Sequence, residues 1–324
     1  MNSEWGGFLN REFILGIVIT TLSFLSVVLI PLIGAMVIVL TPLPVLFYYT
    51  KLGRFKGFAV YGISLALVLL ILRFINPDNL FSLLFFVFIG STGIMLAEVL
   101  RRSLSIEKTL MIPLAALLTC GGGLLLFHGY QTGQAPWQLI GSYVSSSIRE
   151  NIKIYEQLDI SSEQITLIKE YAGQIAVLLT RIFPAVILVS TSLCLWLNIL
   201  AARSLFQKHG LYYPDFGDLT HWKAPEKMVW LLIATGGLLL VPFTVVKYIG
   251  LNLLIVCLFV YLCEGMSIIG YFFKVKRVPV FFKFLFYLLI LIQQYLLFFV
   301  VALGLFDLWA DFRKLIKPAQ DPSV

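Results

Sequence analysis

The feature that most constrains this chain is a series of nine long apolar runs, at residues 13–30, 32–49, 57–74, 80–100, 109–127, 174–200, 227–246, 250–273 and 281–306. Most hold the ~17–25 residues that an α-helix needs to cross the hydrocarbon core of a bilayer. In lipid no water can satisfy a peptide group, so a spanning segment closes its hydrogen bonds within itself. The runs therefore predict an all-α, polytopic transmembrane helix bundle of about nine spans, a single transmembrane domain over residues 1–324. Composition agrees. The chain is 60% hydrophobic and 13% charged, whereas a soluble domain is about 45–50% apolar and about 25% charged. It cannot cover its surface with polar groups in water, so the lipid bilayer is its first partner.

Pro31 and the Pro42-Leu43-Pro44 stretch interrupt the first two runs. Two short spans with a tight turn fit that length better than one straight helix. The first run has no small-residue cleavage site and reads as an anchor. With the N-terminus in the cytoplasm, Lys and Arg on inner segments outnumber those on outer segments by roughly two to one, as the positive-inside rule expects. The same rule accounts for the net charge of +7 without nucleic acid. The basic tail is discordant with nine spans, which put it outside; eight would bring it in.

One sizeable stretch, 128–173, is not apolar. Ile140, Val144, Ile148, Ile152 and Tyr155 recur at near four-residue spacing, with Arg149, Glu150 and Lys153 between them. That pattern predicts an amphipathic helix. Ser161 and Gln164 read as a capping box opening a second helix that runs on into the span at 174–200. Together they predict an extracytoplasmic helical hairpin. Residues 307–324 carry an apolar stripe, Leu308, Trp309, Phe312, Leu315 and Ile316, and predict an interfacial helix whose Lys and Arg reach headgroups, followed by a disordered end.

A charged side chain near the bilayer centre costs on the order of 2.5–3.5 kcal/mol on insertion scales. Glu264, in "VYLCEGMSIIGYFF", stands about 13 Å inside its run at 1.5 Å per residue. Gln293 and Gln294 on the next run are its expected hydrogen-bond partners, since a short basic loop makes the two runs antiparallel neighbours. Arg181 lies in "LLTRIFPAV" with Pro184 loosening the helix after it. Two readings stand for Glu264: a ligand- or proton-binding group, or a structural hydrogen bond. Glu98 and Arg73 sit at run ends and read as interfacial.

The glycines of "GSTG" (90–93) and "TCGGG" (119–123) are expected to let helices pack closely. Cys120, Cys194, Cys257 and Cys263 form no CxxC pair and read as packing residues. His209 and His221 share a loop with Asp215 and Asp218 but lack metal-ligand spacing, so no metal and no cofactor is expected. No nucleophile–base pair or HExxH motif suggests an enzyme.

The most distinctive polar region is "LWLNILAARSLFQKHGLYYPDFGDLTHWKAPEKMVW", residues 195–230. Asn198 and Arg203 close a span; Phe216, then Trp222, Lys223 and Pro225, lead into the next, where Pro suits a first helical turn. In these residues, and in its length and span layout, the chain resembles the YybS-like family of predicted bacterial membrane proteins. That family is in turn similar, distantly, to the substrate-binding subunits of energy-coupling-factor vitamin transporters and to the rod-shape protein MreD. The resemblance implies a bacterial cytoplasmic (inner) membrane location. The first span here, "FILGIVITTLSFLSVVLI", lacks the Ala-xxx-Ala face by which such vitamin subunits dock their module. The leading functional expectation is transport-type binding of a small-molecule or lipid-like ligand through Glu264, Arg181, Gln293 and Gln294. The alternative is a membrane scaffold that holds a protein partner of an envelope complex through the outer hairpin and the 203–226 loop.

Overall fold

A computed structural model describes residues 10–29, 37–75, 80–157 and 162–315. Among them every regular element is a helix. They are α1 (Arg11–Leu29), a short 3₁₀ turn (Ile38–Leu40), α2 (Pro42–Leu52), α3 (Arg54–Ile75), α4 (Leu80–Leu100), α5 (Ile106–Thr132), α6 (Pro136–Gln157) and α7 (Ser162–Lys208). A second 3₁₀ turn (Leu219–His221) follows, then α8 (Met228–Leu240), α9 (Thr244–Val275), α10 (Val280–Ile292), α11 (Gln294–Ala310) and the single turn α12 (Phe312–Leu315). The chain is an all-α polytopic membrane protein.

Where they are described, the nine apolar runs are mostly helical, but they are not nine equal spans. Five helices among the described residues are long and apolar enough to cross a membrane, or six if α10 and α11 count as one bent span. Ile38–Leu52, Leu84–Leu100 and Met228–Leu240 are shorter. Pro31 lies outside the described residues, whereas Pro42 and Pro44 start α2 rather than breaking a span; a first-turn Pro sacrifices no helical hydrogen bond. The 227–246 and 250–273 runs divide at Pro242, not at Lys247: Val241–Phe243 leave the helix and α9 begins at Thr244. The last run is not straight, since α10 and α11 meet at 105°.

The chain forms two compact units. The first holds Met1–His128 and Ser190–Phe216. Its apolar core joins Phe24, Leu25, Val45, Tyr61, Val68, Leu72 and Phe86. Lipid tails are as apolar as leucine, so close packing rather than the hydrophobic effect holds helices together within a membrane. Small residues permit it: at Gly93 a Cβ would stand 2.6 Å from the Pro42 carbonyl oxygen. Gly122 and Gly123 differ from expectation, for no described atom lies within 4 Å of a Cβ there. Glu98 is engaged, not merely interfacial: it accepts from Arg54 at 2.6 and 2.8 Å and from the Tyr49 hydroxyl at 2.8 Å.

The second unit holds Gly129–Val189 and Gly217–Val324. Its α6 is the expected amphipathic helix, with Ile140 and Ile152 buried and Arg149, Glu150 and Lys153 exposed. It pairs with the start of α7 through Glu156 and Lys169, 2.6 Å apart. Ser161 of the expected capping box lies outside the described residues. As expected, α7 continues without a break into the apolar run, 47 residues in all. At 1.5 Å per residue it is ~70 Å long, over twice the ~30 Å hydrocarbon core.

Candidate functional site

Two glycines set the register of the second unit's central helix pair. A Cβ on Gly265 of α9 would overlap the Val300 carbonyl oxygen of α11, and a Cβ on Gly304 would overlap the Tyr261 carbonyl oxygen. Backbone therefore meets backbone. Glu264 and Asp307 each lie less than one turn from these contacts, and both line the same cavity. Both are buried, at 5% and 1% exposure.

The segment from Asp218 to Glu226 then runs back along α9. Asp218 pairs with Lys274 at 2.7 Å. Ser267 Oγ lies 2.9 Å from the Leu219 carbonyl oxygen and 3.1 Å from that of Trp222. Ala224 and Glu264 stand together on the wall of one cavity. Ala224 precedes Pro225, which biases it towards an extended backbone. Asp218 caps the 3₁₀ turn, accepting from the Thr220 N–H at 3.1 Å. The Lys274 ammonium, aided by Thr220, holds the Asp218 carboxyl well below the usual carboxylate range.

Arg313 fastens this segment from the other side. It donates to Asp307 at 2.6 Å, to the Thr220 carbonyl at 3.1 Å, to the Trp222 carbonyl at 2.8 Å and to Ser267 Oγ at 3.0 Å. This corrects the expectation for the tail. Arg313 is 7% exposed and turned into the protein rather than towards headgroups. The cause is local: Asp311 adopts a left-handed backbone, φ 42°, which ends α11 and swings the next turn back. The Asp307 carboxylate then receives the Phe312 N–H at 2.8 Å. Lys223 completes the network, 3.1 Å from Asp311 and 3.6 Å from Asp307. The Asp311 carboxyl is held below its ordinary range by Lys314 and by Lys223.

Between segment and helices remains a cavity of about 310 Å³, lined by Lys223, Ala224, Pro225, Glu226, Tyr261, Glu264, Asp307 and Leu308. Among the described residues Glu264 has no ion pair within 4 Å, and no group of three or more His, Cys, Asp and Glu side chains could hold a metal ion.

The other expected polar residues stand elsewhere. Gln293 and Gln294 are exposed at the junction of α10 and α11, ten or more residues from Gly304 and so at least ~15 Å from the Glu264 level along the axis. The bend between α10 and α11 removes the straight antiparallel partner on which that pairing rested. Arg181 is exposed on α7, its guanidinium 4.9 Å from the Tyr248 ring centroid. Tyr248 precedes Glu264 on α9 by 16 residues, ~24 Å at 1.5 Å per residue. Arg181 therefore makes no pair with Glu264. Its own backbone is engaged instead. Asn252 Nδ2 donates to the Arg181 carbonyl at 2.8 Å, and Asn252 Oδ1 accepts the Ala185 N–H at 2.9 Å. The Asn252 amide thus inserts into the helical bond that Pro184 has opened.

The loop motif divides between the units. In the first, Asn198 is fully buried, donating to Val39 and Cys194 carbonyls at 2.6 and 2.7 Å, while Arg203 is exposed. Phe216 packs edge-on against Tyr213, centroids 5.5 Å apart. Tyr213 donates to the Ile199 carbonyl, its phenol pushed up to about 12 by burial. In the second, Trp222, Lys223 and Pro225 belong to the cavity segment. Asp307, Arg313, Ser267 and Asn252 were not anticipated. Asp307 had a signal like that of Glu264, a single carboxylate within one turn of a glycine in apolar sequence, but falls just past the run's apparent end.

No curated protein and no solved structure matches the chain. A family model described as "Predicted membrane protein (DUF2232)" matches residues 18–308. With nearly the whole helical region covered, the chain belongs to this DUF2232 family of predicted membrane proteins.

Proposed function

We propose that this chain is a ligand-binding membrane protein of the transport type, holding a small molecule in the cavity between the Trp222–Glu226 segment and helices α9 and α11. In this reading it is a YybS-like protein of the bacterial cytoplasmic membrane, its N-terminus inside. Binding sites are typically concave, of about 300–1,000 Å³, largely apolar with a few placed polar groups. This cavity is at the small end of that size range and more polar than most such sites, with Lys223, Glu226, Glu264 and Asp307 facing Tyr261, Pro225 and Leu308. The observation that carries the proposal is the buried Glu264, on the wall of a cavity and without an ion-pair partner. A purely structural carboxylate so placed is normally paired.

The length of α9 supports a cytoplasmic-edge location. Its 32 residues span ~48 Å, and the hydrocarbon core takes ~30 Å. In this reading the excess lies at the end that carries Glu264 and Lys274. Glu264 then lies at the rim of the hydrocarbon, not about 13 Å inside it. The scaffold alternative is disfavoured by the loop it needs, because Asp218–Trp222 is bonded inwards to α9 and α12 rather than presented to a partner.

The test is thermal melting of the purified, detergent-solubilised chain against a panel of small cationic, neutral, anionic and lipid-like compounds, with Glu264→Gln and Glu264→Ala compared. A saturable shift in the wild type, lost in both variants, supports the proposal. Shifts that persist unchanged in both variants remove it.

A further inference from the structure

We infer that the ligand of this cavity is a small organic cation carrying N–H groups, an alkylammonium or guanidinium of a few carbons, with Glu264 as its counter-ion. The inference rests on the proposed binding role of the cavity and adds the chemical class.

Charge balance carries it. Three cations at the cavity share two carboxylates. Lys223 stands between Asp307 and Asp311, Arg313 is bonded to Asp307 and to two carbonyls, and Lys314 pairs with Asp311 at 2.8 Å. Glu264 and Glu226, both on the cavity wall, raise the tally to four carboxylates against three cations, one negative charge in excess, and neither has an ion pair within 4 Å among the described residues. An anionic ligand would meet three wall carboxylates, Glu226, Glu264 and Asp307, with no unengaged cation to receive it. A cation would meet Glu264, a buried charge with no ion pair within 4 Å among the described residues.

Hydrogen-bond capacity points the same way. A carboxylate accepts up to about four hydrogen bonds, and the wall around Glu264 is mostly other carboxylates and apolar surface. Its lone pairs call for donors, which an ammonium or guanidinium supplies in charge-assisted form. Size excludes a bare ion as the sole occupant, for 310 Å³ is room for about ten waters at ~30 Å³ each. The walls of Tyr261, Pro225 and Leu308 suit a short alkyl portion and offer an aromatic ring to the charged head.

The experiment uses the full chain in detergent and isothermal titration with n-butylammonium, butylguanidinium and choline, against n-butanol and butyrate as matched neutral and anionic probes. Choline, which has no N–H, reports whether hydrogen bonding or charge alone selects. Two variants accompany the wild type: Glu264→Gln, which keeps shape and removes charge, and Leu308→Trp, which fills the cavity. Saturable binding of n-butylammonium or butylguanidinium, weakened at least tenfold by Glu264→Gln and abolished by Leu308→Trp, with choline, butanol and butyrate much weaker, is the expected result. Butanol or butyrate binding as tightly as the amines, and lost in Leu308→Trp, overturns the cation class while keeping the cavity as a binding site. Choline matching the amines overturns the N–H requirement. Amine binding that is unchanged in Glu264→Gln overturns the counter-ion role. If no probe binds, or binding survives Leu308→Trp, the class and the underlying site both fall.

Discussion

The Arg313 guanidinium lies 2.6 Å from the Asp307 carboxylate, and both side chains are almost sealed from solvent. They are only six residues apart in sequence, on either side of the left-handed Asp311. Arg313 holds four partners on three elements at once: Asp307 at the end of α11, Ser267 on α9, and the carbonyls of Thr220 and Trp222. One side chain thereby fastens the cavity-lining segment to the helix pair.

Arg313→Ala is expected to cost about 3–5 kcal/mol, because it leaves the Asp307 charge buried and two carbonyls unsatisfied. Arg313→Lys should recover less than half, since one ammonium cannot reproduce the planar fork. Adding Asp307→Asn to Arg313→Ala should recover part of the loss by removing the stranded charge. Melting in detergent checks the series; equal loss in the single and double variants would count against a buried ion pair.

The two close-packed glycines predict a position-specific result. Gly304→Ala and Gly265→Ala each drive a methyl into backbone of the facing helix, an overpacking expected to cost about 1–3 kcal/mol. Gly122→Ala and Gly236→Ala, at helical sites with no described atom within 4 Å, should be neutral or stabilising by up to about 1 kcal/mol. Melting temperatures of the four variants side by side decide the matter.

The insertion of Asn252 at Pro184 predicts non-additivity. Asn252→Leu strips partners from the Arg181 carbonyl and the Ala185 N–H and should cost about 1–3 kcal/mol. In a Pro184→Ala background the helix can close that bond itself, and the same substitution should cost much less. A double-mutant cycle reads the difference.

The Asp218–Lys274 pair predicts part of the acid limb of stability. The folded-state pKa of Asp218 is depressed, chiefly by the hydrogen bond from Lys274 and then by Thr220. Its contribution is therefore complete above the ordinary value of 3.8 and is lost as pH falls below that towards the depressed folded value. Asp218→Asn should be less stable than wild type at pH 6 and lose less on acidification to pH 2.5. Parallel pH–melting curves for the two proteins would refute this assignment.

The 218–226 segment was visible in the sequence as a distinctive stretch, because Trp, Lys and Pro stand together before an apolar run. Its destination was not. The carbonyls of Leu219 and Trp222 carry no sequence signal of their own, since every residue has one. The donors that reach them, Ser267 and Arg313, are chosen by the α9–α11 register. Glu264 was legible as a costly group needing shelter, but Gln293 and Gln294 were the wrong shelter because a straight span was assumed where the chain bends.

What the amino-acid order alone determined is the helical, membrane-embedded character of the chain, the amphipathic hairpin and the continuation of α7 out of it. These follow from hydropathy and periodicity, which are local properties. Only the tertiary structure decided that Arg313 turns inwards, that Asn252 repairs the helix at Pro184, and that Glu264 faces a cavity. Each depends on which backbone atoms two distant segments bring within hydrogen-bonding distance. Close glycine contacts set that register, and no local pattern in the sequence encodes it.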